Sequence, residues 1–212
     1  MRNENTRHPN RHTLYMAETG HGKSHCMAKF SGIPASGARL VLFDPNRDHK
    51  AHRFETRSGF ARALAAANAS GRGFRIAYTG PAGPKNFEWW CACVAAILDG
   101  DKLTFAIIEE YSGQSATAGL INPAREPWHS ALWLQGRKYG LVIHAATQRP
   151  QRISKDALEN AGAIFAGAMG SRARKSVAEE TDIDPSQFTN LKVGEFLHWQ
   201  RGRGHKLVRV FS

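Results

Sequence analysis

Cysteine is scarce in this chain, with Cys26, Cys91 and Cys93 among 212 residues. The last two form a C-x-C pair inside a helical pattern, and no matching ligand cluster stands elsewhere in the sequence. This argues against a disulfide framework or a structural zinc site and leaves small buried thiols in a reducing compartment. Long apolar runs are also missing. No window approaches about 18 uninterrupted apolar residues, so no membrane-spanning helix is expected. The segment "MRNENTRHPNRH" is basic and polar without an apolar core, so no secretory signal is expected and the protein reads as soluble and intracellular. Acidic residues are few: 18 Asp and Glu against 29 Lys and Arg leave a net charge of +11. Such an excess favours a polyanionic partner, nucleic acid first and an anionic membrane second. Solvated basic faces are the plainer alternative.

What is present suits one globular domain, since 42% of the residues are hydrophobic and a chain of this length buries most of its apolar surface. Residues 1–11 read as a flexible basic arm and 12–212 as a single domain. "HTLYMA" reads as a strand, "GKSHCMAKFSG" as a helix, and "RLVLFD" as a buried parallel strand bounded by "DPN". An Ala-rich helix, "SGFARALAAANAS", precedes the strand "FRIAYTG". In "KNFEWWCACVAAILDG", Phe87, Trp90, Cys91, Val94, Ile97 and Leu98 fall at helical spacing, which makes the Trp pair core, with Gly100 ending the helix. Next come the strand "LTFAIIEE", a loop, a helix through "WHSALWLQGRKYG" and the strand "LVIHAATQ". After "KDALENA", "AIFAGAM" adds a strand and "SRARKSVAEE" a helix. "GEFLHWQ" and "HKLVRVFS", split by "RGRG", predict an antiparallel edge hairpin. Strands alternating with helices imply an α/β fold with a mostly parallel central sheet flanked by helices. In such folds ligands collect at the carboxyl ends of the strands.

The stretch Ala17-Glu18-Thr19-Gly20-His21-Gly22-Lys23-Ser24 fits the phosphate-loop pattern G-x-x-x-x-G-K-[ST], with Ala for the first Gly. It follows a predicted strand and opens a predicted helix. Gly20 and Gly22 supply the backbone freedom that turns N–H groups toward phosphates. Lys23 would reach the β- and γ-phosphates, and Ser24 would ligate Mg²⁺ at the helix N-terminus. Thr19 through His25 form the candidate nucleotide-binding set. "LTFAIIEE" brings two carboxylates to a strand end: Glu109, in a place usually held by Asp, to hold Mg²⁺, and Glu110 to polarise the attacking water. Gln148 ends the next strand, where its amide could sense the γ-phosphate or orient water. Arg137 lies near a helix end, as a solvated cation or as a finger that neutralises transition-state charge.

Together "AETGHGKS", "FAIIEE" and "GRKYGLVIHAATQRP" resemble the HerA-FtsK superfamily of RecA-like DNA-pumping ATPases over residues 12 to about 170. The resemblance implies a RecA-like P-loop core and a ring of copies of this chain, usually hexameric. It also implies ATP and Mg²⁺ between subunits and double-stranded DNA in the channel. It makes Lys23 and Ser24 the phosphate-loop pair, Glu109 and Glu110 the Mg²⁺ and catalytic carboxylates, and Gln148 the sensor. Arg137 becomes the trans-acting finger, with Arg149 second. Two departures from the pattern stand out: Ala17, and Glu in place of Asp at 109.

The short chain looks most like the genome-packaging ATPases of tailless, membrane-containing, tectivirus-type viruses. That implies work in the host cytoplasm during assembly or at the virion's packaging vertex, with capsid or portal-vertex proteins as partners. Candidate DNA contacts are the loop from Ser112 to Arg125 and "HKAHR", with Arg172, Arg174 and Lys175 as a further basic cluster. The alternatives are an ATPase for conjugation or filamentous phage assembly, a small-molecule P-loop kinase, and a DNA-binding protein with a silent nucleotide site.

Overall fold

The computed structural model describes residues 1–114 and 119–211. Nine strands form one sheet in the order β3-β4-β2-β5-β6-β1-β7-β8-β9. The strands are β1 (Thr13–Met16), β2 (Arg39–Phe43), β3 (His52–Phe54), β4 (Phe74–Tyr78), β5 (Thr104–Ile108), β6 (Leu141–Thr147), β7 (Ala163–Ala166), β8 (Glu195–Gln200) and β9 (Gly204–Arg209). β1 to β7 pair in parallel, whereas β7–β8 and β8–β9 are antiparallel. The expected edge hairpin is therefore present. β3 is an addition: within the charged stretch before the Ala-rich helix, three residues extend the sheet beside β4.

The helices are α1 (Lys23–Phe30), α2 (Arg57–Ala69), α3 (Pro84–Ile97), α4 (Pro127–Gln135), α5 (Lys155–Glu159) and α6 (Ser171–Thr181). β1, β2, β5 and β6 are buried along their whole lengths, because helices cover both faces and no solvent-facing alternation is needed. Successive side chains still part to opposite faces. Val41 and Phe43 join the core made with α2 to α6, while Leu40 and Leu42 join the smaller core under α1. Trp90 is fully buried beside Phe43 and Phe87, as the helical spacing predicts. No helix among the described residues is long and apolar enough to cross a membrane.

Residues 1–11, expected as a flexible arm, lie hydrogen-bonded along the opposite rim of the sheet from the strands' carboxyl ends. The Met1 ammonium donates to Ala95 O at 2.9 Å, Asn5 N–H to Lys138 O at 2.7 Å, and His8 Nε2 sits 2.7 Å from Gly100 O. Carbonyls in the last turn of α3 and in the turns that follow α3 and α4 accept these bonds, and the basic, polar segment supplies the donors.

Candidate active site

Register decides which residues meet. Met16 pairs with Thr147, Ile108 with Ala145, and Phe43 with Ile108. The residues following these strand ends therefore share one rim: the phosphate loop after β1, Asp44 after β2, Glu109 and Glu110 after β5, and Gln148 after β6.

The loop has the backbone its sequence predicts. Gly20 and Gly22 take φ of 77° and 98°, and Gly22 caps α1 without a side chain. Ala17 occupies the first position because Gly167 stands opposite, where an added Cβ would come 2.9 Å from the Ala17 methyl. Lys23 Nζ folds over its own loop and donates to Ala17 O and Glu18 O at 2.9 and 3.0 Å. Burial lowers its pKa, opposed by the charges of Glu110, Glu109 and Glu18. Lys23 thus shares a field with both predicted carboxylates.

His21 faces away from the loop mouth. Its Nε2 lies 2.9 Å from Glu195 O and 3.2 Å from Ala168 N, its ring meets Phe196 edge-on, and its carbonyl accepts from Gly194 N–H. This side chain anchors the loop to β8, so only the backbone of His21 is left to the candidate nucleotide-binding set. His25 is exposed and meets the Phe211 ring at 5.3 Å between centroids.

Gln148 is the hub of the rim. Its amide donates to Glu110 Oε1 at 2.6 Å and its carbonyl accepts from Thr19 Oγ1 at 2.5 Å. Glu110 itself is left-handed, with φ 48° and ψ 45°, an unusual conformation for a residue with a Cβ. Its neighbours on the C-terminal side hold it there. Gln114 Nε2 donates to Glu110 O at 3.1 Å, and the buried Tyr111 hydroxyl lies 2.7 Å from His129 Nε2. Glu109 is buried, with Oε1 2.6 Å from His49 Nε2. Burial pulls the His49 pKa down, but the Glu109 hydrogen bond and the charges of Glu109, Asp44 and Asp48 outweigh it, and the net shift is upward.

The two finger candidates part company. Arg137 sits before β6 and donates to Thr6 O and His8 O, while Gln148 follows the same strand. Seven strand residues at about 3.3 Å each separate the two ends by about 20 Å. Arg149 is exposed at the site end and, with Arg152, Glu110, Gln148 and Gly83, lines a cavity of about 540 Å³. Of the expected DNA contacts, His49 turns inward to Glu109, whereas His52 and Arg53 are exposed. Residues 115–118 of the other loop lie outside the described residues. In the third cluster, Arg174 donates to Thr189 Oγ1.

His49 and Asp44 were not singled out by the motifs as members of this rim. Asp44 carried a usable signal, an acidic residue ending an apolar run as Glu109 does. His49 carried none, since a histidine in a polar loop has no periodicity.

The rim and the sheet order define a P-loop NTPase fold with a phosphate loop, two strand-end carboxylates and a strand-end Gln. No family model matches the chain. Protein P9 of Pseudoalteromonas phage PM2 is 31% identical over 186 residues, which cover 87% of this chain and 81% of P9. The chain therefore belongs to the family of protein P9. Among solved structures, the genome packaging NTPase B204 of Sulfolobus turreted icosahedral virus 2, in complex with AMPPCP, superposes with a TM-score of 0.75 at 14% identity, covering 96% of this chain and 99% of B204. VirB4 of Thermoanaerobacter pseudethanolicus follows with a TM-score of 0.62 at 11% identity over 95% of this chain and 89% of VirB4. The HerA-FtsK resemblance read from the three motifs thus holds for the fold.

Proposed function

We propose that this protein is an ATPase that drives double-stranded DNA into a preformed viral capsid, working as a ring of identical subunits. The observation that carries the ATPase reading is the chain of contacts from Thr19 through Gln148 to Glu110, joining phosphate loop, sensor and carboxylate. The fold shared with a packaging NTPase supports the packaging role, and the charge of +11 suits a partner held by its phosphate backbone without regard to base sequence.

The residues fit a nucleotide with Mg²⁺. The donors are hard oxygens, and Mg²⁺ at phosphates uses one or two protein ligands, so the lack of any cluster of three or more metal-ligating side chains among the described residues is no obstacle. Ser24 and Glu109 would hold the ion, which supplies charge neutralisation between the phosphates. Lys23 leaves its two loop carbonyls for phosphate oxygens. Glu110 takes the proton of the attacking water, and Gln148 orients that water. Of the two finger candidates, Arg149 lines the cavity of this rim, whereas Arg137, at the other end of β6, would act only on a neighbouring subunit's site.

The test is steady-state ATP hydrolysis with and without long double-stranded DNA, with Lys23→Ala and Glu110→Gln as controls. Stimulation by DNA that both substitutions abolish is expected. Hydrolysis indifferent to DNA would favour a small-molecule kinase, and no hydrolysis even with capsid partners present would overturn the motor.

A further inference from the structure

The loop between β2 and β3 is built around one inward-facing side chain. Asp44, fully buried, accepts the backbone N–H groups of Asp48 and His49 at 2.9 and 3.0 Å. The Arg53 guanidinium donates to Arg47 O and His49 O at 3.0 and 3.1 Å. Four bonds thus fix the main chain on either side of His49 before its imidazole makes any contact. That imidazole, 16% exposed, then meets Glu109 Oε1 at 2.6 Å.

Glu109 stands where an Asp is usual, so it carries one more methylene and one more rotatable bond. A longer carboxylate reaches further but holds its position less well, and groups that orient a metal ligand typically matter ten- to a hundredfold in metal affinity. His49 occupies one Glu109 oxygen and leaves one for a metal. Glu110 is held differently, by the Gln148 amide that belongs to the phosphate-sensing strand end.

We infer that His49 is a positioning residue that holds Glu109 as the metal-side carboxylate and thereby assigns the water-side role to Glu110. The inference rests on the nucleotide reading of the rim. A loop that merely stabilised the fold through an ion pair would not need to deliver its histidine to this carboxylate, and removing it would not act on the metal selectively.

The experiment uses the full chain with AMPPCP and follows Mn²⁺ binding by electron paramagnetic resonance. Removing the imidazole in His49→Ala should weaken Mn²⁺ binding to the AMPPCP complex about ten- to a hundredfold. AMPPCP affinity in EDTA should stay within about twofold, because no phosphate contact is lost. His49→Gln, whose amide can still donate to Glu109, should recover most of the Mn²⁺ affinity. Unchanged Mn²⁺ binding in His49→Ala, or equal losses in both variants, would overturn the inference. Failure of the unaltered chain to bind AMPPCP would overturn the nucleotide reading itself, and the inference with it.

Discussion

Gln148 donates to Glu110 across the ends of two neighbouring strands, at 2.6 Å, while the same side chain accepts from Thr19 in the phosphate loop. The carboxylate and the loop therefore sense one another before any ligand arrives. Glu110→Gln should lower ATP turnover on the order of 10²- to 10⁴-fold through loss of the base. Gln148→Ala should cost on the order of 10²-fold through loss of a placed dipole. Binding of AMPPCP, followed by calorimetry, should stay within about threefold in both, since neither removes a charge that holds phosphate.

Gly167, at the end of the neighbouring strand β7, makes room for the phosphate loop after β1. A methyl added there would stand 2.3 Å from His21 Cδ2 and 2.9 Å from the Ala17 methyl. Gly167→Ala should lower stability by roughly 1–3 kcal/mol in urea titrations, and should also weaken AMPPCP binding, because the displaced residues are loop residues. Pairing it with His21→Ala should cost less than the sum of the two, as expected where one clash is relieved.

Acid should unfold the protein through two histidines far from the rim. Burial, helped by Arg137, lowers the His12 pKa to about 3, and burial, helped by the charges of His12 and Arg11, lowers that of His144 to about 3. Both are neutral in the fold, with Ile143 N–H donating to His12 Nδ1 at 3.1 Å and the Tyr15 hydroxyl 3.2 Å from His144 Nδ1. Unfolded chains protonate histidine near pH 6.5. The stability is therefore present above about pH 6.5 and is lost as pH falls toward about 3, by up to roughly 4 kcal/mol at pH 5 for the pair. Denaturant titrations at pH 7 and 5 read this directly, and His144→Leu should about halve the difference.

Arg137 and Arg149 should fail in different ways. Arg137→Ala removes the donor to Thr6 O and His8 O, so it should destabilise the fold by roughly 1–3 kcal/mol and expose residues 1–11 to protease. Arg149→Ala should leave the melting temperature within about 2 °C, as is usual for an exposed side chain, and lower DNA-stimulated turnover at least tenfold. The reverse pattern would make Arg137 the finger.

The legible parts of this protein were those with a repeating or spaced signal. The two-sided burial of β1, β2, β5 and β6 shows as unbroken apolar runs, and the loop from Ala17 to Ser24 announces itself by spacing. β3 escaped because two of its three residues, His52 and Arg53, are exposed and join the sheet through backbone bonds, leaving Phe54 as its one side chain against the core. The binding of residues 1–11 escaped for the same reason, since carbonyls leave no trace in side-chain composition. Arg137 and Gln148 belong to one motif in sequence, but an extended strand turns that short separation into opposite ends of the sheet. His49 could be assigned only once Asp44 and Arg53 were seen to shape the loop around it.

The anchoring of the phosphate loop by β8 has a consequence for how the protein is made. His21 contacts Glu195 across 174 positions of chain, and the ring of Phe211 lies against Gly22 and Gly194. On the ribosome, residues 17–24 emerge long before the segment that braces them. An emerging chain can form its first strands and helices early, but its nucleotide loop gains its full support only after residues 194–211 have left the exit tunnel. Synthesis order thus keeps the loop unbraced until the rest of the fold is there to use it.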